Sequence, residues 1–396
     1  MLSPGELPPL DAEEAARTAQ LAARIRERAR ERGGWLPFSE FMRAALYEPD
    51  LGYYMTDRAI FGSVGDFVTA PEMSPLFARC LAVGIAELLT KAGGGDVVEY
   101  GAGSGAMAGE LLAALSRLGV LPQRYRIVEP SPALGNRQRH WLEHAPGVAL
   151  LLDRIEWLES PPCGEWQGVA VANEVVDALP VDRFRIADRG CAAIGVVPDG
   201  GGFAWRVGPA DPPLATAVES LQQRLSVPMA AGYVSEWCPG LRNWVASAAG
   251  KLTRGAVLLV DYGLPRAHYY HPSRDGGTLC GFRRHLQIED VLSTPGAQDL
   301  TAWVDFSAAA DAARDVGLRV AGFATQAHYL LSTGIERELA LLLEEAGERD
   351  GALLRQGAAT LLLPGEMGER FKILALLRDI VGLPAGFGFR DLSTSL

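Results

Sequence analysis

The chain has 396 residues, 48% hydrophobic and 21% charged, a globular mixture that excludes a disordered, fibrous or repeat-built protein. Its 37 basic and 48 acidic side chains give a formal charge of −11, and a net acidic surface argues against a nucleic-acid partner. The five cysteines lie far apart without a Cys-x-x-Cys pair, so neither a zinc cage nor a disulfide framework is expected.

No stretch approaches the ~20 apolar residues of a membrane span. The first residues lack the basic-then-apolar order of a secretion signal, so no membrane span and a cytoplasmic location are expected.

Residues 11–32 begin with acids and end with arginines, the polarity a helix dipole favours, and Ala15, Ala19, Ala22, Ile25 and Ala29 make a thin apolar stripe. Residues 35–80 are aromatic, glycine-containing and irregular, which suggests ordered loops packed on something, a ligand among the candidates. From residue 96 strands and helices alternate. DVVEY (96–100), RYRIVE (124–129), GVAVANE (168–174) and GAVLLVDYG (255–263) each run apolar and stop at a polar or acidic residue. Buried parallel strands do this where a ligand crevice lies at their carboxyl ends. A hairpin excursion is expected within 183–208, helices near 133–145, 212–226 and 238–252, and strands at 318–325 and 370–377 around a helical insert. The expected organisation is one elaborated α/β domain. Residues 1–90 form an N-terminal helical and lid segment, 91–380 a core with insertions near 183–252 and 326–366, and 381–396 a tail.

The sharpest local signal is Glu99-Tyr100-Gly101-Ala102-Gly103-Ser104-Gly105 after the first of these strands. Bare backbone lets the chain turn tightly and a ligand lie against it, and the free amides of the following helix favour a negative group. The spacing departs from the G-x-G-x-x-G of dinucleotide sites, and the Gly-Lys-Ser/Thr of a P-loop is absent. The E/D-x-G-x-G-x-G pattern of methyl-donor sites matches at Glu99, Gly101, Gly103 and Gly105. By itself the loop fits a methyl donor, a dinucleotide or an ordinary strand-to-helix turn. Glu129 ends the next strand, where an acid can accept from both ribose hydroxyls of either cofactor. Asn173, Glu174 and Asp177 follow the third strand as a polar cluster, with Asp177 equally suited to capping a helix.

Eight segments in order from about residue 35 to 378, among them FMRAALYEPDLGYY (41–54), GDFVTAPEMSPLF (65–77), VVEYGAGSG (97–105), NEVVDALP (173–180) and MGERFKILAL (367–376), resemble one family. It contains the mitochondrial complex I assembly-factor protein-arginine methyltransferase and its MidA-like relatives. The resemblance implies a class I, Rossmann-like methyltransferase fold with a mostly parallel sheet. It also implies S-adenosylmethionine as donor and S-adenosylhomocysteine as product, and, in the mitochondrial member, a protein substrate methylated on arginine. On the same ground Gly101, Gly103, Ser104, Gly105 and Glu129 are expected to contact the donor, with Asn173 and Glu174 beside the transferring methyl. Gly65-Asp66-Phe67 and the turn from Thr69 to Glu72 are expected to cover the cofactor, to shape the acceptor channel, or simply to pack as a lid.

Methyl transfer from a sulfonium is an in-line displacement that alignment alone can catalyse. A guanidinium acceptor is a poor nucleophile, its lone pairs delocalised and its proton tightly held, so carboxylates must orient it and balance its charge. Glu72, Glu174 and Asp177 are the candidates, followed by Asp66 and Asp261. A proton relay through His285, Asp299 and Asp305 is less expected than core hydrogen bonding. The His268-x-x-His271 pair has no third ligand, and no metal is expected. A homodimer is a further possibility. The competing functions are a methyltransferase for a small molecule, a donor-binding assembly chaperone without turnover, and a nicotinamide-dependent dehydrogenase.

Overall fold

The computed structural model describes residues 8–396 apart from 59, 61, 63, 64 and 67, so Phe67 lies outside the described residues. The chain divides into two compact units, and the division differs from the expected one. The first unit holds the described residues up to Asp66, with Asp177–Leu241 and Leu264–Asp305; the second holds Val68–Val176, Arg242–Gly263 and Phe306–Leu396. The expected 91–380 core is therefore split, and the segment after 67 belongs with the large sheet. Local periodicity marks a helix or a hairpin but not the sheet against which it is buried.

The second unit carries that sheet. Its strands lie in the order Arg319–Thr325, Phe371–Arg378, Leu252–Leu264, Trp166–Asn173, Asp96–Tyr100, Tyr125–Val128 and Ile155–Leu158. The last five are mutually parallel, whereas Phe371–Arg378 runs against both its neighbours. Parallel strands need helical crossovers on their faces. Helices Pro75–Ala92 and Ala106–Arg117 supply Leu81, Ile85, Leu88, Leu111 and Leu115 to one core with Val97, Ile127, Val169 and Leu258. Pro75–Ala92 starts on Ser74, whose hydroxyl accepts from the Leu76 amide, and stops at Gly93 in the left-handed region (φ 86°). The result is the Rossmann-like, mostly parallel arrangement expected from the sequence.

The segment 381–396 is no loose tail. Phe387 is buried in the same core, the Leu392 amide donates to Phe323 O, and Asp391 accepts from the Phe323 amide. A Cβ at Gly322 would stand 2.4 Å from the Phe387 ring, so this docking requires glycine there.

The first unit is built on antiparallel sheets. Gly202–Pro209, Cys191–Asp199, Asp182–Ile186 and Val234–Trp237 form one in that order, so the expected excursion is a three-stranded meander with a returning fourth strand. Helix Pro212–Arg224 buries Leu214, Val218 and Leu221 with Phe184, Ile186 and Ala193. Helix Ala12–Glu31 starts on an Asp11–Glu14 capping box. The region expected to be irregular contains a second helix, Phe38–Tyr47, whose Phe38 and Phe41 pack on Trp205 (4.9 Å) and Phe203 (5.3 Å). Those aromatics find protein partners. Leu286–Ile288, Cys280–Arg283 and Asp299–Thr301 make a smaller antiparallel sheet.

Candidate functional site

Parallel strands in the second unit bring the motifs together at the carboxyl ends of the strands. Tyr100 pairs with Ala172 and with Val128, and Asn173 with Val260, so the segments after these residues emerge together. Gly101 and Val175 come so close that a Cβ on Gly101 would lie 3.0 Å from Val175 Cγ2. Gly101, Gly103 and Gly105 all take left-handed backbone (φ 63°, 56° and 91°), and Gly105 starts the helix Ala106–Arg117. Side chains there would be strained and would fill the surface that the bare backbone leaves open.

Beside the loop a polar network holds Glu129. Its Oε1 accepts from the Ser131 amide (2.9 Å) and its Oε2 from Gln138 Nε2 (2.9 Å). The same Gln138 amide donates to Gly103 O (3.1 Å), and Gln138 Oε1 accepts from Trp157 Nε1 (3.1 Å). Gln138 was not singled out from the sequence, because a glutamine on a helix has no visible partner until the turn and strand are placed. Burial pushes the Glu129 carboxyl upward, against the donors that favour its charge. Glu99 lies wholly buried one strand away, its Oε2 accepting from Tyr125 Oη at 2.6 Å, while Oε1 is buried without a hydrogen-bond donor. Burial pushes its carboxyl up to about 7.

Asn173 and Glu174 sit at the end of the neighbouring strand. Glu174 is a non-glycine residue in left-handed backbone (φ 54°), locked there by its amide donating to Val260 O (2.9 Å). Asn173 Nδ2 donates to Glu174 Oε1 (3.1 Å), and Asn173 Oδ1 is buried without a hydrogen-bond donor. Asp261 accepts from the Val176 and Tyr262 amides, so it anchors the two strand ends. Thr69 precedes the short helix Ala70–Met73 without a side-chain cap, and half-buried Glu72 donates its amide to Thr69 O.

Two expected site residues belong to the first unit and are committed there. Asp66 accepts from Tyr53 Oη, Arg58 Nη2 and the Arg284 amide, and its carbonyl accepts from the His285 amide. It pins the two-residue turn Arg284–His285, whose φ angles are 50° and 61°. Three donors hold this carboxylate, which is only 1% exposed, so Asp66 pins the turn in place. Asp177 Oδ2 accepts from Thr301 Oγ1 (2.8 Å), and its carbonyl from the Ala302 amide. Asp299 accepts from Tyr54 Oη, with its carboxyl raised well above the usual range by burial and then by the Asp177 charge. These bonds anchor strands and turns, as the sequence favoured for His285 and Asp299. His271 caps its own turn by accepting from the Ser273 amide.

A family model for S-adenosyl-L-methionine-dependent methyltransferases matches residues 77–324. The chain belongs to this methyltransferase family. A protein from Burkholderia thailandensis crystallised with S-adenosyl-homocysteine is 37% identical, with a TM-score of 0.91 over 99% of this chain and 100% of that one. The "Protein arginine methyltransferase NDUFAF7, mitochondrial" of Danio rerio is 31% identical over 87% of this chain and 84% of its own length. Its Homo sapiens counterpart is 30% identical over 87% and 80%. The expected cytoplasmic location is overturned by these relatives, which are named mitochondrial. A folded enzyme's composition reports its solubility and leaves its compartment unmarked. No helix among the described residues is long and apolar enough to cross a membrane.

The methyltransferase therefore uses S-adenosylmethionine, and its residues fit that donor. The loop at 101–105 is a bare left-handed cradle, and each Glu129 oxygen keeps a lone pair for a hydroxyl. Asn173 Oδ1 is a buried acceptor for a donor group.

Proposed function

We propose that this methyltransferase modifies arginine side chains of a protein, with Glu174 as the carboxylate that engages the guanidinium. The reading is supported by the names of the curated relatives and by one observation in this chain, the left-handed backbone of Glu174. Such a conformation costs about 1–2 kcal/mol for a residue with a Cβ and persists where surrounding bonds impose it, commonly at functional positions. When bound, the donor supplies an electrophilic methyl group on a sulfonium sulfur. Gly101, Gly103, Ser104 and Gly105 would lie against it, Glu129 would accept from its ribose hydroxyls, and Asn173 would hold its polar end.

Glu174 accepts guanidinium N–H groups, balances the cation and fixes the plane of the nucleophilic nitrogen. The N–H proton given up on methylation passes to this carboxylate and then to water. Asn173 Nδ2, bonded to Glu174 Oε1, keeps the carboxylate in one rotamer. Glu72 offers a second carboxylate in the same unit, and Thr69 holds the turn that carries it. Asp177 is left outside this reading, its Oδ2 accepting from Thr301 and its carbonyl from Ala302.

The test is labelling with tritiated methyl donor in an extract of cells lacking the protein, followed by hydrolysis and amino-acid analysis. Label in methylated arginine is expected. Glu174→Gln should lower it by roughly 100-fold or more while S-adenosylhomocysteine still binds by calorimetry. Label recovered in a small molecule, or no label with wild-type protein, would overturn the assignment.

A further inference from the structure

Helix Pro132–His144 presents a second constellation on its outer surface, formed by His140, Glu143 and His144. Positions i, i+3 and i+4 share one face of a helix. One ligand atom from each residue lies within 4.8 Å of the others, and all three residues are exposed. The imidazoles are neighbours, with ring centroids 4.9 Å apart and planes tilted by 54°.

His144 Nδ1 lies 2.8 Å from His140 O. A carbonyl only accepts, so Nδ1 carries the proton and the lone pair is on Nε2. Metal-ligating histidines are commonly oriented in this way by a backbone carbonyl on the other ring nitrogen. Glu143 supplies a negative charge and has no ion pair among the described residues. Arg139, which could have answered that charge, lays its guanidinium over the Trp157 ring at 4.5 Å. The three residues also occupy the last turns of the helix, where the backbone dipole favours a cation.

We propose that His140, Glu143 and His144 form a surface site for a divalent transition-metal cation of the zinc, nickel or copper class. Two imidazoles and one carboxylate suit these ions over calcium or magnesium, and three protein ligands leave the remaining positions to water. The site lies outside the donor-binding residues and replaces the expectation that the chain holds no metal. That expectation weighed His268 and His271, whose i, i+3 spacing lies in a short helix and loop where His271 already caps Ser273.

The experiment is calorimetric titration of the chelator-treated full chain with zinc ion alone, repeated with nickel. One ion per chain is expected, with release on acidification as protons compete for the imidazoles. His140→Ala/His144→Ala should weaken binding by at least ~10-fold, and Glu143→Gln by less. Because the residues are exposed, the variant should keep the wild-type melting midpoint without metal, while the metal-induced rise in that midpoint disappears. His268→Ala/His271→Ala should bind as wild type does. No zinc binding up to millimolar ion, or undiminished binding by the His140→Ala/His144→Ala chain, would overturn the proposal.

Discussion

Gln138 donates from one amide nitrogen to Glu129 Oε2 at 2.9 Å and to Gly103 O at 3.1 Å, joining the acid at one strand end to the glycine loop at the next. Gln138 is wholly buried, and Trp157 fixes which way the amide faces by donating to its oxygen. Gln138→Leu keeps the volume but takes this partner from Gly103 O, Glu129 Oε2 and Trp157 Nε1. Unpaired buried groups cost about 1–3 kcal/mol apiece, so urea unfolding should show a loss near the upper end of that range. Affinity for S-adenosylhomocysteine should fall with it. Unaltered affinity would mean that Glu129 holds its place without the bridge.

Glu99 sets a pH dependence of stability. Its folded-state carboxyl is raised from 4.5 to about 7, first by burial, against the opposing Tyr125 bond and with help from the Glu129 charge. The folded chain therefore binds more protons than the unfolded chain between those values. The stabilising contribution is complete below the unfolded value and is lost as pH rises through the folded one. At roughly 1.4 kcal/mol per unit, the loss is on the order of 3 kcal/mol. Glu99→Gln keeps an acceptor for Tyr125 and cannot ionise. Denaturant unfolding at pH 5 and pH 8 should show a smaller fall for the variant than for wild type, and equal slopes would refute the assignment.

The left-handed Glu174 separates stability from turnover. Glycine adopts that backbone freely, whereas alanine carries the same Cβ penalty as glutamate. Glu174→Gly should exceed Glu174→Ala in unfolding free energy by about 1 kcal/mol, although both lose methyl transfer. If alanine proved the more stable substitution, the backbone strain would be absent in solution.

Asp66 is expected to behave as a pin. Asp66→Ala leaves the largely buried Arg58 guanidinium without this partner and releases the Arg284–His285 turn. Breaking such a buried pair costs about 3–5 kcal/mol, which should appear as a clear drop in melting temperature. The turn should loosen in hydrogen exchange at residues 284 and 285. A fully stable Asp66→Ala chain with reduced donor affinity would return Asp66 to the cofactor set.

The fold class was legible because buried parallel strands are apolar runs that end abruptly, and DVVEY, RYRIVE, GVAVANE and GAVLLVDYG all do. Their observed positions, Asp96–Tyr100, Tyr125–Val128, Trp166–Asn173 and Leu252–Leu264, stay within a few residues of that reading. The glycine loop and Glu129 were legible for a related reason, since successive left-handed residues at a strand end favour glycine. Helix Phe38–Tyr47 was missed because its aromatic residues are explained only by Trp205 and Phe203, far along the chain.

What the sequence determined by itself was therefore local: strand, turn and helix, and the kind of ligand that the glycine loop admits. Burial and partnership were decided by the tertiary structure. Only the packed chain shows that Asp66 is held by Tyr53, Arg58 and a turn, that Gln138 supports Glu129, and that Glu174 is held in left-handed backbone. A carboxylate's role depends on which donors surround it, and those donors come from residues distant in sequence that folding alone brings within hydrogen-bonding reach.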